Sequence, residues 1–117
     1  MKNKIILKTF GFKYGIPRAN YYFDVSFLKN PARKDEFSFF SKVDDGMRKF
    51  IINQPDAMSF VENVVPLILF LSKVDQSQIF AIGCNAGQHR SRIVSELISE
   101  KLIASGLDVI IIHEDQI

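Results

Sequence analysis

The chain carries a single cysteine, Cys84, no tryptophan, and only two histidines, His89 and His113. One thiol excludes an intrachain disulfide framework, and so sparse a set of soft ligands has no metal-site spacing, so neither a metal nor a cofactor is expected. No apolar run approaches the roughly 20 residues of a membrane span. The most hydrophobic segment, Val64 to Leu71, contains Pro66 and is expected to be part of a core helix. Met1-Lys2-Asn3-Lys4 leads into an apolar stretch broken at once by Lys8, which is no signal peptide, and a cytoplasmic location without membrane contact is expected. Acidic residues are missing ahead of Asp24, whereas Lys2, Lys4, Lys8, Lys13 and Arg18 make a basic edge. A solvated strand and loop explains such an edge more simply than an RNA surface, and a net charge of +2 is too mild to announce a nucleic-acid binder. There is no internal repeat, no low-complexity tract and no linker, so residues 1–117 are expected to form a single domain, its core drawn from a 47% hydrophobic composition.

What is present reads as an α/β pattern. Lys4 to Phe10 is strand-like and ends at Gly11; Gly11 to Asn20 is a loop punctuated by Gly15 and Pro17; Tyr21 to Val25 is a second strand. Asn30-Pro31 marks a turn, and a short helix is expected over Lys34 to Phe40. Asp44 and Asp45 open a helix that carries Met47, Phe50 and Ile51 on one face and ends near Asn53. Ser59 and Glu62 have the spacing of a capping box for the next helix, with Asp56 as an earlier start and Pro66 as a kink. Ile79 to Ile82 and Val109 to Ile112 are wholly apolar and read as central parallel strands. Between them Ile93, Val94, Leu97, Ile98 and Leu102 form a helical stripe, which Gly106 is placed to end. The expected architecture is one three-layer α/β domain with a mostly parallel central sheet, its β-loop-α-β crossover right-handed.

The chemistry concentrates in Gly83-Cys84-Asn85-Ala86-Gly87-Gln88-His89-Arg90-Ser91, between a buried strand and a patterned helix. The first N–H groups of a helix lack internal partners and carry the positive end of its dipole, and glycine lets the loop approach an anion closely. This loop is therefore read as a phosphate cradle at the carboxyl ends of the strands. Two readings of it stand side by side. In one, N–H groups from Asn85 to His89 enclose an anion, Arg90 adds a charged fork and Ser91 a hydroxyl. In the other, Cys84 is a nucleophile: Cys84-x5-Arg90-Ser91 has the spacing of cysteine-dependent phosphatases and resembles their dual-specificity branch, with Arg90 holding the transferred group. Against catalysis, Gly83 stands where those enzymes carry a histidine, and only Asp44, Asp45 and Asp56 are available as general acids.

Three separated blocks carry a further resemblance. Thr9-Phe10-Gly11-Phe12-Lys13-Tyr14-Gly15-Ile16-Pro17, then Phe23-Asp24-Val25-Ser26-Phe27-Leu28-Lys29-Asn30-Pro31, then Ala81 through Ser91 resemble the C-terminal domain of the RapZ family of RNase adapter and nucleotide-binding proteins. Ordered blocks are more specific than any one glycine-rich loop. The resemblance implies an α/β domain that senses a phosphorylated small molecule, in the family an amino-sugar phosphate. It also implies contact with small RNAs and a nuclease, and self-association into a homo-oligomer. By position, Cys84, Asn85, Ala86, Gly87, Gln88, His89, Arg90 and Ser91 would line the phosphate site, with Lys13, Asp24, Asn30 and His113 as further ligand contacts.

The departures point elsewhere at several positions. Ser26 replaces the family's arginine after the Asp-Val pair, and Asn85 and Ala86 replace a threonine and a glycine, which moves the loop toward the phosphatase pattern. Glu114 follows the closing histidine where the family has a basic residue, and the chain stops at Ile117 before any lysine-rich tail, which counts against RNA binding. No G-x-x-x-x-G-K-[ST] occurs, so nucleotide hydrolysis is not carried over. Plainer roles compete with the functional ones: Cys84 as a small core residue, Asp24 as a turn cap, Asn30 as a turn residue, His113 as a solvated end, and the phenylalanines as core.

Overall fold

The structure is a computed structural model that describes residues 4–30, 45–75 and 78–114. The helix expected over Lys34 to Phe40 lies outside them. Along the described chain run β1 (Lys4–Gly11), a 3-10 turn (Phe12–Tyr14), β2 (Tyr21–Asp24), α1 (Asp45–Ile52), α2 (Pro55–Val74), β3 (Ile79–Cys84), α3 (Arg90–Ala104) and β4 (Asp108–His113). The strands lie in the order β2-β3-β1-β4, and every pairing is parallel.

Alternation along the strands decides which side chains meet the helices. Ile5 and Leu7 of β1, Phe80 and Ile82 of β3, and the partly buried Tyr21, Phe23, Val109 and Ile111 share one face with the apolar sides of α1, α2 and α3. That single cluster is the core. The α/β class and the parallel sheet are as expected, and among the described residues α1, α2 and α3 contribute to the same core cluster. The opposite face carries Phe10, whose ring meets Phe12 edge-on at 4.7 Å and Tyr22 at 6.3 Å.

The strand order corrects the reading of the last strand. Among the described strands β4 pairs only with β1 and sits at an edge, and Ile110 and Ile112 remain 39% and 40% exposed. A run of isoleucines has the same local signature whether or not a second layer lies above it. β3, by contrast, is central and buried from Phe80 onward.

The helices begin and end for identifiable reasons. α2 starts a full turn before the Ser59–Glu62 box: Pro55 sits at its first turn with its dihedral preset and no N–H to orphan, Asp56 faces the dipole, and the Gln54 carbonyl accepts from Ala57 N–H at 3.0 Å. Ser59 is consequently a helix-interior residue. α2 continues through Pro66, which removes the donor for the Glu62 carbonyl. The helix is long and apolar enough to match a membrane span, yet Ala57, Val61, Val64, Val65 and Ile68 are core residues. At the end of α3, Gly106 adopts φ +91°, Gly106 N–H donates to Ile103 and Leu107 N–H to Leu102, a Schellman motif that halts the helix where expected.

Because the sheet is parallel, the carboxyl ends of β1, β2 and β3 lie along one rim. There Val25 N–H donates to the Gly83 carbonyl at 2.8 Å and Lys13 N–H to the Asn85 carbonyl at 3.1 Å, extending both pairings into the loops.

Candidate phosphate-binding site

The loop after β3 can form only where no side chain intrudes. Gly11, ending β1, lies directly under it: a Cβ there would stand 2.4 Å from the Ala86 carbonyl carbon. Gly87 returns the approach, with φ +73° and a Cβ position 2.6 Å from Gly11 N. Only glycine satisfies both the left-handed dihedral and the contact.

Two hydrogen bonds then set the direction of the loop peptides. The Asn85 carbonyl accepts from Lys13 N–H, and the Gly87 carbonyl accepts from Arg92 Nε at 3.0 Å. In a trans peptide the N–H points opposite to the C=O, so pinning these carbonyls turns the N–H groups of Ala86 and Gln88 away from Lys13 and Arg92 respectively. Among the described residues neither N–H has an acceptor. Ala86 and Gln88 line a small, partly open cleft together with Asn30, Cys84, His89 and Arg90. Among the described residues, no carboxylate belongs to that lining.

Arg90, the first residue of α3, is only 9% exposed. Its Nη1 donates to the carbonyls of Ser26 at 2.9 Å and Leu28 at 3.1 Å, tying the turn after β2 to the helix start. Ion pairs among the described residues join Lys8 to Glu114 and Arg48 to Glu96 and Glu100; none involves Arg90. A buried guanidinium without an anion is costly by several kcal/mol, and carbonyl dipoles offset only part of that cost. Cys84 is buried, and its Sγ lies 3.4 Å from Oγ of the fully buried Ser91 in a weak hydrogen bond beneath the cleft.

Of the residues singled out in the sequence, Cys84, Ala86, Gln88, His89, Arg90 and Asn30 come together at the cleft. Asn85 and Gly87 shape the loop through their carbonyls, and Ser91 supports it from below. Three others are not in the lining. Asp24 accepts Ser26 N–H through Oδ1 at 2.8 Å, the turn-capping alternative. The Lys13 ammonium lies 5.1 Å over the Tyr14 ring. His113, on the edge strand, has Nδ1 2.6 Å from Thr9 Oγ1. The basic edge is partly committed as well, since Lys8 Nζ donates to the Arg18 carbonyl at 3.0 Å and pairs with Glu114. What sequence reasoning missed is Gly11 as the floor of the loop; its signal was a glycine at a strand's carboxyl end, legible only once that strand is known to adjoin β3.

A parallel α/β domain with a strand-loop-helix cleft lined by a buried arginine is the class of protein these features define. The sequence matches the RapZ C-terminal domain over residues 3–117, and the chain belongs to that family. Among curated relatives, a nucleotide-binding protein of Listeria innocua is 36% identical over 115 residues, covering 93% of this chain and 39% of the relative. A nucleotide-binding protein of Streptomyces coelicolor is 31% identical over 113 residues, covering 92% and 38%. One of Aeromonas hydrophila is 36% identical over 115 residues, covering 93% and 40%. The chain thus spans about two fifths of the length of these relatives.

Proposed function

We propose that this chain binds the phosphate of a small phosphorylated molecule, a nucleotide or an amino-sugar phosphate, in the cleft between Asn30 and the loop Cys84–Arg90, and relays occupancy to a macromolecular partner. The observation that carries the reading is Arg90, a buried cation with no carboxylate partner among the described residues. A phosphate dianion supplies the missing charge and accepts from the Ala86 and Gln88 peptides at the amino end of α3. The relatives' name, nucleotide-binding protein, supports a phosphorylated ligand. Self-association belongs to the same reading, and the exposed Leu67, Phe70 and Val74 of α2 give it an apolar surface.

Calorimetry with inorganic phosphate, glucosamine 6-phosphate and AMP, on wild type and Arg90→Ala, tests the reading. Binding by wild type that weakens at least about tenfold in the variant supports it, a loss typical of a charge-assisted contact. Equal or absent binding in both proteins removes it.

One contact favours a second reading, a cysteine-dependent phosphatase. The Cys84 Sγ to Ser91 Oγ hydrogen bond places a hydroxyl where it would steady a thiolate at the start of the loop. In such a reaction an S–P bond forms as the ester P–O bond breaks, and water then cleaves S–P. The leaving oxygen needs a proton donor; of the three candidates, Asp44 lies outside the described residues, and Asp45 and Asp56 are exposed at the starts of α1 and α2 and absent from the described lining. A chromogenic phosphate ester separates the readings. Turnover abolished by Cys84→Ser favours catalysis, whereas turnover that survives it, or none at all, leaves the binding reading alone.

A further inference from the structure

Of the six described residues lining the cleft, five come from the segment Cys84 to Arg90; the sixth, Asn30, is contributed by the turn after β2 and forms a wall of its own. What holds that wall is a residue outside the cleft. Gln54, between α1 and α2, engages both polar groups of Lys29: Lys29 N–H donates to Gln54 Oε1 at 2.7 Å, and Gln54 Nε2 donates to the Lys29 carbonyl at 3.0 Å. From this we infer that Gln54 is a positioning residue for the ligand site, setting Asn30 for the part of the ligand attached to the phosphate. The inference rests on the cleft being the phosphate site proposed above.

The geometry makes the clamp specific. The Lys29 carbonyl belongs to the peptide plane that leads into Asn30, so fixing its oxygen fixes the plane from which the Asn30 side chain departs. A planar carboxamide with one donor and one acceptor matches a peptide edge as a neighbouring strand would. Gln54 is itself held before it reaches Lys29: its N–H donates to Ile51, its carbonyl accepts from Ala57, both at 3.0 Å, and it occupies the cap of α2. The same turn is held from the other side by Arg90 through Ser26 and Leu28. Two anchors from distant parts of the chain therefore hold one wall. Arg90 also lines the cleft, whereas Gln54 does not belong to its described lining and bonds to backbone, to Lys29 and, at 3.5 Å, to the Phe50 carbonyl.

This division predicts which ligands feel Gln54. Inorganic phosphate is recognised by the loop peptides and Arg90, which Gln54 does not hold. A phosphomonoester extends past the phosphate to the Asn30 wall. Gln54→Ala is expected to weaken AMP binding about tenfold, to match Asn30→Ala, and to add nothing in the Asn30→Ala/Gln54→Ala double variant, because coupled residues are non-additive. Affinity for inorganic phosphate is expected to change less than about threefold, within the spread of an uncoupled site. Backbone amide resonances of Lys29 and Asn30 are expected to shift, and those of Ala86 to Gln88 to stay.

Gln54→Glu guards against a folding defect in the alanine variant. It keeps an acceptor for Lys29 N–H but sets a carboxylate against the Lys29 carbonyl, so it should fold as wild type and lose AMP affinity to an intermediate extent. Unchanged AMP binding in both Gln54 variants, or an additive double variant, overturns the inference and leaves the phosphate site standing. Absence of AMP and phosphate binding in wild type overturns both. A uniform loss of AMP and phosphate binding assigns Gln54 a merely structural role and also overturns it.

Discussion

Gly11 and Gly87 meet backbone to backbone, each occupying the space that a Cβ on the other would need. The strand end and the loop are therefore fitted to one another by the absence of side chains. Gly11→Ala is expected to lower stability by about 1–3 kcal/mol, the cost of overpacking against atoms that cannot rotate away, and to weaken phosphate binding with it. Chemical denaturation and a phosphate titration check both effects. Gly15 is the control. Its φ is +107° and nothing lies within 4 Å of its Cβ position, so Gly15→Ala should strain the backbone by about 1–3 kcal/mol and leave phosphate binding intact. A Gly11→Ala protein with wild-type phosphate affinity would show that the loop does not need this floor.

Arg90→Lys separates charge from geometry. Lysine keeps the cation but is shorter, and both carbonyls are reached by Nη1 at the tip of the arginine, so Ser26 and Leu28 are left short of a donor. Stability is expected to fall by about 1–3 kcal/mol, the penalty of unsatisfied buried acceptors, with phosphate affinity between those of wild type and Arg90→Ala. Equal affinity of the lysine variant and wild type would assign Arg90 a purely electrostatic role.

Pro66 is exposed on α2 and denies the helix one hydrogen bond. Pro66→Ala restores the donor and the best helix former, and is expected to raise stability by roughly 1–3 kcal/mol. A lower melting temperature in this variant would mean that the core packing of Val61, Val65 and Ile68 depends on the proline.

Arg48 links α1 to α3 by pairing with Glu96 at 3.3 Å and Glu100 at 2.6 Å. The arginine side chain is 27% exposed and its partners 43% and 59%, so solvent and salt screen the pair. Arg48→Ala is expected to cost less than about 1 kcal/mol, with the difference shrinking in high salt. A loss several times larger would point to packing of the arginine stem rather than to its charge.

The class of fold was legible because the apolar runs at Ile79 and Val109 flank a helix stripe ending at Gly106, a pattern with few solutions. The edge position of β4 was not, since nothing local in Val109 to Ile112 records whether a layer covers its outer side. α2 began at Pro55 because a proline at the first turn outweighed the Ser59–Glu62 spacing. The loop was legible from its glycines, with a strand before it and a helix after it. Arg90 was anticipated, but not its grip on Ser26 and Leu28, because backbone carbonyls leave no mark in a sequence. Asp24, Lys13 and His113 came from family likeness alone, and no sequence pattern announces their neighbours in space, Ser26, Tyr14 and Thr9.

The cleft draws its walls from Asn30 and from Cys84 to Arg90, stretches joined only through the assembled parallel sheet. No excised loop peptide can reproduce it, and an occupant held there acts as a rivet across the fold. Whatever anion it accepts must raise the melting temperature in proportion to the logarithm of its concentration, so thermal-shift screening reports ligands without any assay of downstream function.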